Sequence, residues 1–206
     1  MINSTRKGLL IVLSGPSGVG KDTVLDRLLK NRSDCVVSLS STTRAMRPGE
    51  TEGVEYNFIS REKFESLIAA GELLEHAIYS GNYYGTPTKP VEELRAEGKH
   101  VILEIEVQGA NKIREKCPDA VSVFIMPPSM ASLRRRLELR RTDSEAEIEA
   151  RMHTARMEIN FAHNYNYIVV NEDIETSAAQ LSAIITAADC HVDRMADIIR
   201  EVCDNA

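Results

Sequence analysis

Residues 8–23 read Gly-Leu-Leu-Ile-Val-Leu-Ser-Gly-Pro-Ser-Gly-Val-Gly-Lys-Asp-Thr: an apolar run, a glycine-rich turn, a lysine, then a helix-forming stretch. A short apolar run without amphipathic spacing reads as a strand buried on both faces. A helix reached through Gly-Pro and Gly-Val-Gly then starts just beyond the carboxyl end of that strand. The turn nearly matches G-x-x-x-x-G-K-[ST], with Gly15, Gly20 and Lys21 in place. Backbone N–H groups of Gly15, Pro16, Ser17, Gly18, Val19 and Gly20, proline excepted, together with the following helix N-terminus, suit phosphate oxygens. Lys21 adds a point charge. The last motif position departs: Asp22 replaces the usual hydroxyl, which arrives one residue late at Thr23. Asp22 can ligate a divalent cation or simply favour a helix N-terminus, and the sequence leaves both readings open.

Strand and helix signals alternate along the rest of the chain. Leu9–Leu13, Val36–Leu39, Val101–Val107, Val121–Met126 and Tyr167–Val170 read as strands. Lys21–Lys30 reads as a helix with Val24, Leu25, Leu28 and Leu29 inward. Others run from a Ser60 cap to Gly71, from Val91 to Glu97, from a Ser129 cap through Leu133 and Leu137, and from a Ser144–Glu147 capping box. Thr176 to Val202 reads as helical, with Leu181, Ile184, Ile185, Met195, Ile198 and Ile199 inward. Buried strands alternating with helices predict an α/β fold, a parallel sheet flanked by helices, with ligands at the carboxyl strand ends. Residues 40–86 differ: they are polar, rich in Ser, Thr, Gly and Tyr, and read as a small binding insertion holding one helix.

Bulk properties exclude several classes. The 206 residues suffice for one domain, and the net charge of −6 argues against bulk attraction to nucleic acid or anionic lipid. No apolar run approaches a membrane span, and no signal peptide is expected. Cys35, Cys117, Cys190 and Cys203 lie far apart without metal spacing, which predicts reduced thiols and a cytoplasmic protein. The five histidines are scattered and receive no ligand role.

Three further groups can carry chemistry. Arg44 and Arg47 sit three apart among hydroxyls and turn formers, and arginine forks bind phosphate bidentately. With Tyr56 and the Tyr83-Tyr84 loop they suit a nucleoside monophosphate. Arg136 and Arg140 share a helical face, followed by Arg151; such like charges wait for an anion. Glu104 and Glu106, spaced by two, point to one strand face, where they can hold the water ligands of Mg²⁺ or pair with an arginine or substrate group.

The series Gly-Pro-Ser-Gly-Val-Gly-Lys, Ser-Ser-Thr-Thr-Arg, Arg-Pro-Gly-Glu, Tyr-Asn-Phe, Gly-Asn-Tyr-Tyr-Gly-Thr, Glu-Ile-Glu-Val-Gln-Gly, Arg-Leu-Glu-Leu-Arg and Val-Asn-Glu-Asp occurs in that order from about Leu9 to Asp173. It resembles guanylate kinases, which transfer the ATP γ-phosphate to GMP. The resemblance implies a single domain over 1–206: a core of about 1–39, 87–126 and 157–206, a GMP-binding region of about 40–86, and a mobile lid of about 127–156. It implies ATP binding by residues 15–23 and Asn171, with Lys21, Arg44, Arg136, Arg140 and Arg151 catalytic. It places GMP on Ser40, Arg44, Arg47, Glu50, Tyr56, Glu75, Tyr84, Thr86, Glu104 and Glu106, with Glu75 reading guanine. Glu104 and Glu106 stand where many relatives carry aspartate. Mg²⁺ would accompany ATP, with Asp22 and, through water, Glu104 as candidate ligands. GMP and dGMP are the expected acceptors, with neither nucleic acid nor membrane as partner, and the chain is a monomer or homo-oligomer. Two alternatives share these residues: a non-catalytic guanylate-kinase-like binding module, and a related kinase with another phosphorylated acceptor. Intact Lys21 argues against the first; Ser40, Glu75 and the tyrosine pair argue against the second.

Overall fold

Alternate residues of one strand, Leu9, Ile11 and Leu13 against Leu10 and Val12, enter two different hydrophobic clusters, and each is at most 2% exposed. That strand therefore lies in the middle of a layered α/β architecture. The computed structural model describes residues 6–79, 81–139 and 143–204. Its main sheet combines β1 (Leu10–Ser14), β2 (Cys35–Val37), β7 (His100–Glu104), β8 (Val121–Met126) and β9 (Tyr167–Val170). The order is β2-β7-β1-β8-β9 and every pairing is parallel. The chain leaves β1 toward β2 on one side and its neighbour β8 toward β9 on the other, so the crevice at the carboxyl ends of β1 and β8 is the topological switch point where such sheets bind ligands.

One cluster joins the sheet to α1 (Lys21–Asn31), α5 (Met130–Leu139), α6 (Glu145–Asn160) and α7 (Ile174–Asp189). The other lies under α3 (Thr88–Ala96) and α4 (Val107–Lys116) and includes Phe124 and Tyr165, whose rings meet edge to face. The predicted capping box is present: Ser144 Oγ accepts from the Glu147 N–H, and the Glu147 carboxylate accepts from the Ser144 N–H.

The insertion forms a second sheet in the order β4-β3-β6-β5, from β3 (Ser41–Thr42), β4 (Asn57–Phe58), β5 (Leu73–Tyr79) and β6 (Asn82–Pro87). Helix α2 (Arg61–Ala69) packs Phe64 fully inward, its ring stacked on Tyr83 at 5.0 Å. The two sheets share no strand pairing. What ties them is α4: Lys112 Nζ donates to the His76 carbonyl at 2.5 Å and Lys116 Nζ to the Leu74 carbonyl at 3.0 Å, both on β5.

Three expectations need correction. The apolar run Val101–Val107 is not one strand; it ends at Glu104, and Glu106 is the N-cap residue of α4. Helix α3 starts at Thr88, ahead of the predicted Val91, because Pro90 sits in its first turn, where a missing N–H costs nothing. The C-terminal helical stretch breaks at Cys190, passes through a short 3₁₀ turn (Val192–Arg194) and resumes as α8 (Ala196–Asp204). Ile199 is accordingly 51% exposed and not part of the core.

Candidate active site

The loop after β1 arrives as expected, and its geometry depends on Gly20. This residue precedes α1 with φ 93°, a left-handed conformation, and a Cβ there would come within 2.8 Å of Asn171 Nδ2. No side chain caps α1, so its first N–H groups remain for an anion. Lys21 Nζ lies across the loop, donating to the Gly15 carbonyl at 2.9 Å. Asp22 makes no capping hydrogen bond; it faces Glu104 instead. Burial, and the nearby Asp22 carboxylate against the opposing pull of Lys21, leave the Glu104 carboxyl pushed up to about 7. Thr23 is exposed in the first turn.

Glu104 and Glu106 do not share a strand face, because the chain turns between them. They still reach one place: both line the cleft that also contains Gly15, Lys21, Asp22, Ser40 and Tyr56. Burial raises Glu106, opposed by Lys21. Glu158 of α6 is a site residue that sequence reasoning missed. It is raised by burial and feels both Lys21 and Glu106. Only the crossing of α6 over the cleft brings it there, and no motif marks it.

Across the cleft, the insertion builds a cavity of about 280 Å³ lined by Ser40, Arg44, Arg47, Tyr56, Glu75, Tyr84, Glu104 and Glu106, among others. Arg44 stands at one end. Its guanidinium donates to both Glu50 carboxylate oxygens, at 2.8 and 2.9 Å, and lies 5.5 Å from the Tyr56 ring centroid. Glu50 also accepts from the Arg47 N–H at 2.7 Å. Arg44 thereby holds the Glu50 carboxyl down at about 2. Glu50 thus sits behind Arg44 as its orienting partner. Tyr56 and Tyr84 meet edge to face at 5.8 Å.

Glu75 stands at the other end. It is 4% exposed on β5, opposite Thr86 of β6, immediately after a register shift. Thr86 Oγ1 donates to Glu75 Oε1 at 2.9 Å. Burial raises the Glu75 carboxyl above its ordinary range, opposed by the Thr86 hydroxyl and by Lys112 and Lys116. A buried carboxylate beside a cleft, held by one hydroxyl, keeps acceptor capacity for a donor-bearing ligand.

Two of the arginines expected in a lid touch the loop. Arg136 Nη1 donates to the Val19 carbonyl at 2.8 Å and Nη2 to the Asn171 carbonyl at 2.7 Å. Arg151 Nη1 donates to Ser17 Oγ at 2.9 Å, and its Nε lies 3.2 Å from Asp143. Arg140 lies outside the described residues. Asn171 is 2% exposed and tied to the loop's rear: Nδ2 donates to the Val19 carbonyl at 2.8 Å, and Oδ1 accepts from Ser177 at 3.1 Å. The side chain expected to approach adenine is thus occupied in bracing the phosphate loop.

The phosphate loop, the arginine pair and the buried carboxylate converge on one cleft, and the family follows. The guanylate kinase family model matches residues 7–188. The chain belongs to the guanylate kinase family. A guanylate kinase of Halalkalibacterium halodurans is 51% identical over 189 residues, covering 92% of this chain and 93% of the relative. One from Clostridium perfringens is 45% identical over 200 residues, covering 97% and 93%. Among solved structures, guanylate kinase from Anaplasma phagocytophilum superposes with a TM-score of 0.75 at 42% identity, covering 92% of this chain and 90% of that one. The family's mixed α/β fold and parallel central sheet are those described above. Among the described residues no helix is long and apolar enough to cross a membrane, and all four cysteines are free thiols.

Proposed function

We propose that this chain transfers the γ-phosphoryl group of ATP to GMP and dGMP, giving ADP and the matching diphosphate. The observation that carries this reading is the arrangement of one cleft: an uncapped helix N-terminus with Lys21 on one side, and Arg44 and Glu75 on the other. The loop N–H groups of residues 15–20 and Lys21 take the ATP phosphates. Arg44 and Arg47, with the phenols of Tyr56 and Tyr84, grip the GMP phosphate. Glu75 accepts from N1–H and the exocyclic amine of guanine, with Ser40 and Thr86 beside it. Adenine lacks that donor pair and would leave a buried carboxylate unpaired, which is how the site rejects it.

The oxygen donors of Asp22 and Glu104, two adjacent carboxylates beside Lys21, fit a hard divalent cation. Asp22, with Glu104 through water, would hold Mg²⁺. When bound, that ion neutralises phosphate charge. The rest of the work belongs to the chain. GMP phosphate is already largely dianionic at neutral pH, since its second pKa is near ~6, so no strong base is required. Lys21 and the lid arginines, Arg136, Arg140 and Arg151, stabilise charge on the transferring group. Lid closure over the cleft excludes water and limits wasteful ATP hydrolysis. The four free thiols support a cytoplasmic setting.

A coupled assay of ADP formation from ATP, run with GMP, dGMP, AMP, UMP or no acceptor, tests the reaction. ADP release should require a guanine nucleotide. Arg44→Met should raise the GMP KM by about 10- to 100-fold and lower kcat, while the ATP KM stays close to wild type. Unchanged GMP constants would remove Arg44 from the acceptor site.

A further inference from the structure

Gly109 is a glycine without a backbone reason. It is the third residue of α4, is buried, and does not adopt a positive φ. Alanine favours such a position over glycine, because it loses less backbone freedom on folding. The reason must be space. A Cβ built on Gly109 would lie 2.8 Å from Glu75 Oε2, 3.3 Å from Glu75 Cδ and 3.5 Å from Ile105 Cδ1. Only the contact to Oε2 falls below 3.0 Å, the separation that Cβ atoms essentially never breach.

We propose that Gly109 is a specificity-determining position, whose missing Cβ provides the seat in which the Glu75 carboxylate lies when it reads the acceptor's base. The inference rests on the assignment of Glu75 to guanine made above. Thr86 fixes Oε1 at 2.9 Å, so the carboxylate cannot recede from a new methyl group without turning or giving up that hydrogen bond. Two parallel donors on the base need both oxygens in their plane, and a turned carboxylate meets one donor at most. The displaced atom is the far end of a flexible side chain, so the fold tolerates the change easily. The binding geometry does not. Gly109 and Glu75 line the same cavity, which places the seat inside the acceptor site. The missing side chain at this position of α4 thus controls acceptor choice without any contact to the base. Gly109 is a positioning residue in this sense, acting through Glu75.

The test uses the full chain and a double-mutant cycle. Gly109→Ala should melt at the wild-type temperature or above, because alanine favours the helix. Its ATP KM should stay within about twofold of wild type, while its GMP KM rises about 10- to 100-fold and its preference for GMP over AMP falls. In a Glu75→Ala background, adding Gly109→Ala should change the GMP KM by less than about twofold, because the displaced group is gone. The proposal is overturned if Gly109→Ala leaves the GMP KM unchanged while Glu75→Ala raises it; guanine reading by Glu75 then survives alone. It is equally overturned if Gly109→Ala carries the same penalty in both backgrounds, or if it unfolds the protein, since either result means an action through the fold. If Glu75→Ala itself leaves GMP selectivity intact, the base-reading assignment fails and Gly109 falls with it.

Discussion

His100 illustrates how much a single buried side chain can settle. It is 6% exposed at the start of β7, and its Nδ1 accepts the Leu9 N–H at 3.1 Å. The ring must be neutral to accept, with its proton on Nε2, which lies 3.6 Å from Asp34. Burial pushes its pKa below the ordinary 6.5, with Arg32 and Arg194 adding to the shift and Asp189 and Asp34 opposing it. The unfolded chain therefore binds this proton more readily than the folded one. Stability from this group is complete above pH 6.5 and is lost as pH falls below it. His76 shifts the same way, so the His100 share is isolated by difference. The unfolding free energy from urea titrations should fall less between pH 7.5 and 5.5 in His100→Asn than in wild type, and an equal fall in both would remove His100 from the acid sensitivity. Residues of this kind were hard to recognise in the sequence, where the five histidines looked alike. Residues with motif context were much easier. Lys21 is marked by its motif, and Arg44 and Glu75 by their place in the ordered family series; the structure puts all three on adjoining pockets. Glu158 has neither mark and was not legible.

Element boundaries follow a similar logic. Strands β1, β8 and β9 were legible as apolar runs ended by Gly-Pro, Pro-Pro or Asn-Glu-Asp. Helix α4 was hidden because its first residue, Val107, extends the apolar run of β7 and Gly109 weakens its helical signal. The β5–β6 hairpin was hidden because inward Glu75 and the register shift beside it break strand alternation. The break at Cys190 carries neither Gly nor Pro. Helix α6, by contrast, announces itself through its capping box, and that box also starts the helix that carries Arg151. Arg151 lies in the second turn of α6 and reaches Ser17 of the phosphate loop. Ser144→Ala should cost α6 about 0.5–2 kcal/mol. Amide exchange in the first turn of α6 should accelerate, and the ATP KM should rise a fewfold while the GMP KM changes less. If exchange there is unaltered, the box does not hold this end of α6.

At the scale of the molecule, two sheets with separate pairing are joined through α4. Lys112 and Lys116 hold β5 carbonyls from the core side. Tyrosines report on the two parts unevenly: Tyr56, Tyr79, Tyr83 and Tyr84 lie in the insertion, Tyr165 and Tyr167 in the core, and there is no tryptophan. Denaturation followed by tyrosine fluorescence and by far-ultraviolet circular dichroism should coincide in the wild type. In a Lys112→Met, Lys116→Met double variant the tyrosine transition should come first, as the insertion unfolds ahead of the parallel sheet. Coincident curves in the double variant would show that the lysines do not couple the two parts. The self-contained pairing of the second sheet also has a historical meaning. Its strands pair only with one another, so mutations between β2 and α3 leave the register of the parallel sheet untouched. A lineage carrying this architecture can revise that one contiguous stretch of chain while the parallel sheet is inherited whole.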